Sequence, residues 1–327
     1  MQKFVLNKND AGQRLDKFLT KTLKGIPMSL LYKYIRKKRI KVNGKRAKEN
    51  QMLSAGDIVE LYIPDEFSKN EADTSEYDKI KASPTVIYED DNIIICDKRA
   101  GMLSHTGDKG ENGSSAIPER ETLIFIIRAY LYKKGEFDPN DEASFSPALA
   151  NRLDRNTGGL VIESKNAEAL REMNRLIRDG HVDKRYLCAV HGKPSPSSAT
   201  LGGYLFKNSK TKKVTVYSSP RQGAKEIITS YKTEKYSREN DLSLLEVHLE
   251  TGRTHQIRAH LASVGHPLLG EGKYGENKND RALGYKYQAL YSYRLSFSVP
   301  DGPLSYLDKK TFEADRNNIP FIKLFNK

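Results

Sequence analysis

Pro147-Ala148-Leu149-Ala150-Asn151-Arg152-Leu153-Asp154-Arg155-Asn156-Thr157-Gly158-Gly159-Leu160-Val161-Ile162 sets one carboxylate between two arginines and runs out into a short apolar segment. Leu160 to Ile162 is the right length and character for a buried strand, and Gly158-Gly159 permits a sharp backbone excursion just before it. Asp154 is therefore expected on a loop anchored in the core. A carboxylate beside fixed positive charge stays ionised at neutral pH, which suits a nucleophile and not a general acid.

Working outward, the N-terminal end carries most of the charge. Of a formal +13 over 327 residues, Met1 to Ile63 holds 15 Lys and Arg against 5 Asp and Glu, so +10 lies in this segment and +3 in the rest. Such asymmetry points to a polyanionic partner, of which nucleic acid is the commonest for a chain of this kind. Leu15, Phe18, Leu19 and Leu23 share one face of a predicted helix. Leu31, Tyr34 and Ile35 share that of a second, with Ser29 as its expected N-cap. Ile40 to Lys45 alternates into an Asn43-Gly44 turn, and Ala55-Gly56-Asp57 leads into a strand over 58–63. Lys33, Arg36, Lys37, Lys38 and Arg39 cluster at the end of the second helix, where cations suit the helix dipole and face phosphates.

Beyond this module, 65–83 is polar and aperiodic and reads as a linker. Thr85 to Cys96 reads as a hairpin with an acidic turn, Thr106 to Arg120 as a mobile surface segment at a pocket rim, and Leu123 to Tyr132 as a helix. Asn166 is expected to cap a helix burying Leu170, Met173 and Ile177 and closed by Gly180; Tyr186 to Val190 and Leu244 to Leu249 read as strands. Ile257, Leu261 and Val264 mark a helix stopped by Gly265. The mixture lacks a βαβ rhythm, which favours an α+β domain with a largely antiparallel sheet. The expected division is 1–64, a linker at 65–83, and a catalytic domain over 84–327.

No apolar run approaches a membrane span, and the opening Met1 to Lys8 lacks a signal peptide's apolar core, so a cytoplasmic protein is expected. Cys96 and Cys188 each sit in an apolar run and read as buried, reduced thiols. His255 and His260 are not spaced to share a helix face, and no third ligand lies near, so no metal is expected. No dinucleotide or nucleoside-triphosphate loop is present, and no Ser-His-Asp grouping with a nucleophile elbow. The chemistry is expected to run on side chains alone, without a cofactor. In Glu250-Thr251-Gly252-Arg253-Thr254-His255-Gln256-Ile257-Arg258, Arg253 falls where a helix should start, so its charge calls for an anion, and Asp154 is the candidate.

The N-terminal pattern, from Arg14-Leu15-Asp16-Lys17-Phe18-Leu19 through Ile35 to Gly44 and on to Gly56-Asp57-Ile58-Val59, resembles the S-four-type (alpha-L) RNA-binding module, with Lys38 where many members have glycine. Arg14, Lys33, Arg36, Lys37, Lys38 and Arg39 are its expected RNA contacts. Arg152 to Leu160, Lys184-Arg185-Tyr186-Leu187, and Thr251 to Arg258 with His266-Pro267-Leu268-Leu269-Gly270 resemble three motifs of the RluA family of RNA pseudouridine synthases. Tyr88-Glu89-Asp90-Asp91 with Lys98, Gly101 and His105 resembles that family's opening segment. Asn151 stands for the usual histidine, Gly159 for a serine and Arg99 for a proline.

The resemblance implies Asp154 as nucleophile toward a flipped-out uridine, Tyr186 stacking on the base and assisting proton removal, Arg253 pairing with Asp154, and Arg152 filling the gap left in the RNA. With such an N-terminal module it implies the branch, of RluC and RluD type, that acts on large-subunit ribosomal RNA. The chain is expected to work as a monomer. A scaffold that binds RNA without turnover is the competing class; a metal-dependent nuclease would want paired carboxylates, and none cluster here.

Overall fold

The computed structural model describes residues 1–23, 25–67, 72–106, 119–208, 211 and 213–326. The expected mobile rim therefore lies mostly outside the described residues, since 107–118 are not among them.

The N-terminal domain contains β1 (Gln2–Val5), α1 (Leu15–Thr22), α2 (Met28–Arg36), β2 (Ile40–Val42), β3 (Lys45–Arg46) and β4 (Ile58–Leu61). Its strands form one antiparallel sheet in the order β1-β4-β2-β3. The helix faces read from the sequence are the ones buried, with Leu15, Phe18, Leu19, Leu31 and Ile35 at 2% exposure or less. Asn43 and Gly44 both take positive φ, as a two-residue turn between β2 and β3 demands. Two expectations change. Ser29 lies inside α2, whose N-cap is Pro27 with no side-chain bond, because a proline already supplies the fixed φ that starts a helix. And β1, too short and polar to announce itself, becomes the edge partner of β4.

Lys38 accounts for the glycine usual at its position. Its φ is +59°, and the Lys38 and Arg39 amides close back on the Ile35 and Tyr34 carbonyls, a helix end in which the left-handed residue is ordinarily glycine.

The larger part of the chain follows with α3 (Ser75–Lys79), β5 (Val86–Glu89), β6 (Ile93–Lys98), α4 (Leu123–Lys133), β7 (Ala148–Leu149), β8 (Gly158–Ser164), α5 (Ala167–Arg178), β9 (Val182–His191), β10 (Ser198–Lys207), β11 (Val214–Tyr217), β12 (Lys225–Ser237), β13 (Leu242–Leu249), α6 (Gln256–Ser263), α7 (Lys278–Ala282), β14 (Leu290–Phe297) and β15 (Thr311–Glu313). Eleven strands make one sheet, ordered β11-β10-β12-β13-β9-β14-β8-β6-β5, with β15 on β14 and β7 on β8. Every pairing is antiparallel except β14 with β8, so the fold is α+β as read.

Both faces of the sheet are covered. Ile93, Ile95, Leu160 and Ile162 pack with Met173 and Leu176 of α5 on one side. Val161, Cys188, Val190, Leu245 and Val247 pack with Ile127 and Leu131 of α4 and with Leu261 of α6 on the other. Asn166 caps α5 as expected, its Oδ1 accepting the Ala169 amide at 2.8 Å. The buried stripe of α5 is Ala169, Met173 and Leu176, with Leu170 and Ile177 on its flanks. Val264 is 44% exposed, past the end of α6. Cys96 and Cys188 are free and buried.

The expected linker is partly structured. Tyr77 of α3 packs on Phe125, Tyr132 and Phe137, and the Ala72 amide donates to Asn140 Oδ1, so the segment from 72 packs against α4 and the residues that follow it. The two domains also meet directly through polar groups. Asn7 and Asn9 donate to Glu142, the Ser144 amide and hydroxyl donate to the buried Asp10, Thr22 donates to the Ala143 carbonyl, and the Ala167 amide donates to Asn9.

One carboxylate is fully buried with both oxygens unbonded among the described residues. Glu163 lies between Ile94 of β6 and Leu149 of β7, at 0% exposure, and neither carboxyl oxygen has a hydrogen-bond partner among the described residues. Burial drives its pKa well above the carboxylate range, opposed by Arg128. Because folding raises this pKa, the group's contribution is fully present below its unfolded value of about 4.3 and is lost as pH rises. Glu163→Leu should stabilise the protein by about 1–3 kcal/mol at pH 7 and by less at pH 4. Thermal unfolding of both forms at the two pH values checks this; an equal gain at both would show that ionisation is not the cost.

Candidate active site

Asp154 stands on the loop between β7 and β8, and that loop is fixed from several directions. The Ala150 amide donates to the Ile162 carbonyl, and Asn151 Oδ1 accepts the Ile162 amide at 2.7 Å, so Asn151 extends the pairing along the edge of β8 with its side chain. Leu153 is buried, and its carbonyl accepts the Ser104 hydroxyl at 3.0 Å. The Thr157 amide closes a turn on the Asp154 carbonyl. Beneath the loop lies Lys98, 0% exposed, whose ammonium donates to the carbonyls of Arg99, Met102 and Arg155 at 2.9–3.2 Å. Three carbonyls suit the three donors of a buried ammonium and tie β6 to the loop. The sequence marked Lys98 as part of a motif but indicated no task for it.

Gly158 and Gly159 begin β8 where it runs parallel to Tyr291 and Ser292 of β14. Gly159 has φ +115°, and a Cβ there would meet the Ser292 carbonyl oxygen at 2.1 Å. A serine could not be built at 159 without moving β14. At Gly158 a Cβ would meet the Tyr291 ring at 2.5 Å, so there a side chain and not backbone would have to move.

The arginines flanking Asp154 do not pair with it. Arg152 is exposed and bonds His105 Nε2 at 2.6 Å, while Arg155 donates to the Gly101 carbonyl. The expected partner, Arg253, is also exposed; it lines the same cleft, and its backbone amide donates to Gln256 Oε1. The reason lies in the turn. α6 starts only at Gln256, after His255 in a left-handed conformation at φ +56°, and Gln256 ties the turn to β12 through Ile228 and Thr229. This leaves Arg253 on the rim and carries Arg258 inward.

Arg258 NH1 donates to Asp154 Oδ2 at 3.1 Å, and its Nε and NH2 donate to Glu271 at 2.6 and 2.9 Å. The arginine side chain is 4% exposed, Glu271 0% and Asp154 27%. Burial alone would lower the pKa of Arg258, but Glu271 and Asp154 outweigh it and raise it, so the guanidinium stays charged. His255 Nε2 lies 3.8 Å from the same Asp154 oxygen, and its Nδ1 is 2.6 Å from the Tyr274 hydroxyl. Asp154 Oδ1 has no hydrogen bond among the described residues.

Leu153, Tyr186, Leu249, Ile257 and Leu290 complete the walls of the cleft. Tyr186, from β9, is 7% exposed; burial, and after it the charge of Asp154, pushes its phenol up to about 12, so it is neutral at physiological pH. His260 is turned away from the cleft, with Nδ1 3.0 Å from Thr229 Oγ1, and burial lowers its pKa. The cleft thus offers an anchored carboxylate with one free oxygen, a phenol and apolar walls.

In the N-terminal domain Lys33, Arg36, Lys37, Lys38 and Arg39 are all exposed. Arg14 is committed elsewhere: it forks onto the buried Asp16 at 3.1 and 2.6 Å.

Comparison with known proteins gives the family of the chain. The family model for RNA pseudouridylate synthases matches residues 92–263, and that for the S4 domain matches 13–59. The chain is 33% identical to an uncharacterized RNA pseudouridine synthase of Mycoplasma genitalium, covering 90% of this chain and 88% of that one. It is 32% identical to the ribosomal large subunit pseudouridine synthase C of Escherichia coli, with the same coverage of 90% and 88%. Among solved structures, the human RNA pseudouridylate synthase domain containing 4 aligns with a TM-score of 0.52 at 17% identity, over 70% of this chain and 87% of that one, which speaks to the fold.

Gly159→Ala tests the seat of the loop. Its Cβ would collide with backbone and its φ is unfavourable for an L-residue, so a loss of roughly 3 kcal/mol or more is expected, seen as a lower melting temperature. An unchanged melting temperature would mean that β14 yields.

Proposed function

The chain belongs to the RNA pseudouridylate synthase family, and from that premise we propose that it isomerises specific uridines of large-subunit ribosomal RNA, with Asp154 as the attacking group. The observation that carries this reading is the asymmetry of Asp154: Oδ2 is held by Arg258 while Oδ1 is unbonded in a cleft faced by a buried phenol. An oriented anion with one oxygen available meets the requirement for covalent attack.

Oδ1 attacks the uracil ring or the sugar carbon, the N1–C1′ bond breaks, and its electron pair leaves with the base. The base then rotates, C5 bonds to C1′, the bond between Oδ1 and the substrate breaks to return the carboxylate, and the proton lost from C5 is balanced by one gained at N1. Apolar walls from Leu153, Leu249 and Leu290 keep the free base from water, so that rejoining outruns loss. Tyr186 enters as a neutral phenol, stacking on the ring and donating to it, and it accepts the C5 proton only as it passes its own on. Arg152, exposed at the rim beside His105, fills the space of the flipped nucleotide. Arg253 meets the RNA and not the nucleophile, which is the role of Arg258. A scaffold retained for binding alone has no use for a buried arginine aimed at a half-buried carboxylate that opens on the cleft.

Asp154→Asn keeps volume and hydrogen bonding but removes the anion, so RNA binding should persist while pseudouridine formation stops; turnover above background would exclude Asp154 as nucleophile. In the same assay Arg258→Ala should lower the single-turnover rate by roughly 100-fold or more, whereas Arg253→Ala should chiefly weaken RNA binding. The reverse pattern would return the pairing role to Arg253.

The basic face of the N-terminal domain is read as the grip on RNA phosphates. Replacing Lys33, Arg36 and Lys37 with alanine should flatten the log-log salt dependence of binding by about 0.7 per lost single-strand contact, or about 0.9 for duplex, and leave the saturated single-turnover rate nearly unchanged. Titration of a ribosomal RNA fragment at several salt concentrations decides it; an unaltered slope assigns this face to another partner.

A further inference from the structure

Glu271 is sealed from the cleft, yet it holds more of Arg258 than Asp154 does. Two of the three guanidinium nitrogens, Nε and NH2, are directed to Glu271, and only NH1 reaches Asp154. Glu271 is itself fixed, its Oε1 also accepting the Lys273 amide at 2.8 Å and its own amide donating to the Leu268 carbonyl. The Tyr274 ring lies 5.6 Å from the guanidinium carbon. The result is a row of three charges, carboxylate, guanidinium and carboxylate, with a net charge of −1 whose outer end opens on the cleft.

We propose that Glu271 is a positioning residue that keeps Asp154 nucleophilic by occupying the fork of Arg258. A guanidinium with its fork free would turn it onto Asp154 and bind both carboxylate oxygens, as paired arginines and carboxylates prefer. Asp154 would then be a compensated ion with no oxygen left for attack. With the fork taken by Glu271, Arg258 can give one bond through NH1, which orients Oδ2 and leaves Oδ1 and much of the charge available. The inference rests on Asp154 being the nucleophile, and it adds that the residue setting its reactivity lies 117 positions away and never touches substrate.

The ionisable groups facing Asp154 are Arg258 from α6, His255 from the turn before it, Tyr186 from β9 and, within electrostatic reach, Tyr274, with Arg152 and Arg253 on the same cleft. Of these only Arg258 is coupled by hydrogen bonds to Glu271. Removing the Glu271 charge makes the field at Asp154 more positive, so the acid limb of the pH–rate profile should move to lower pH while the plateau falls.

The test is the single-turnover rate of pseudouridine formation at saturating ribosomal RNA fragment, from about pH 5 to pH 8. Glu271→Gln should lower the plateau roughly tenfold or more and move the acid limb down by about one pH unit, with RNA affinity unchanged. Glu271→Asp, which keeps the charge but retreats by one methylene, should move the limb the same way by less, and it carries the test if the glutamine variant does not fold. In an Arg258→Gln background, Glu271→Gln should cost less than about twofold more. A lower plateau with an unmoved limb would reduce Glu271 to a structural brace, and a wild-type profile would remove it from the site altogether. Asp154→Asn measured alongside separates the two readings: if it is active, the nucleophile assignment fails; if it is inert while Glu271→Gln is unaffected, only the role of Glu271 does.

Discussion

A buried guanidinium must be answered on every side, and much of the architecture can be understood as the means of answering Arg258. Its stem lies within α6, which is short and starts late because Gln256 and the left-handed His255 hold the preceding turn against β12. Glu271 reaches it from beyond the end of that helix, and Asp154 from the opposite side, on a loop seated over β14. Removing either carboxylate would leave charge buried without full compensation, which costs several kcal/mol. The three residues are therefore bound to one another as tightly by the need to fold as by any chemistry they perform.

What brings them together is the one parallel pairing in an otherwise antiparallel sheet. β8 enters beside β14 without room for a side chain at 159, so the loop before it is pressed onto the sheet end. Lys98 secures it from below with three bonds to carbonyls. Asn151 secures its approach by acting as one more rung of strand. A loop so constrained can hold a carboxylate at a set angle to a partner more than a hundred residues away in the chain.

The longer helices, the Asn43-Gly44 turn and the loop that carries Asp154 were legible because they depend on local rules: spacing of apolar residues, residues that tolerate positive φ, and a Gly-Gly pair before an apolar run. The partner of Asp154 was not. Arg253 and Arg258 lie in one short stretch, and nothing local distinguishes them; only the turn at His255 decides which one points inward, and that turn is held by β12. The same limit applies to α3, whose single aromatic anchor, Tyr77, finds its partners in and just after α4. Glu271 was invisible for a like reason, since a carboxylate after a glycine reads as surface until the arginine that buries it is known.

The end of α2 carries a tension of its own. Lys38 occupies a backbone region that costs a side chain about 1–2 kcal/mol and costs glycine almost nothing, and it does so on the exposed basic edge of the domain. Stopping the helix and adding a cation are thus duties of one residue. Backbone ease and positive charge are antagonists at this position, because any exchange that relaxes the backbone by deleting the side chain also deletes a charge.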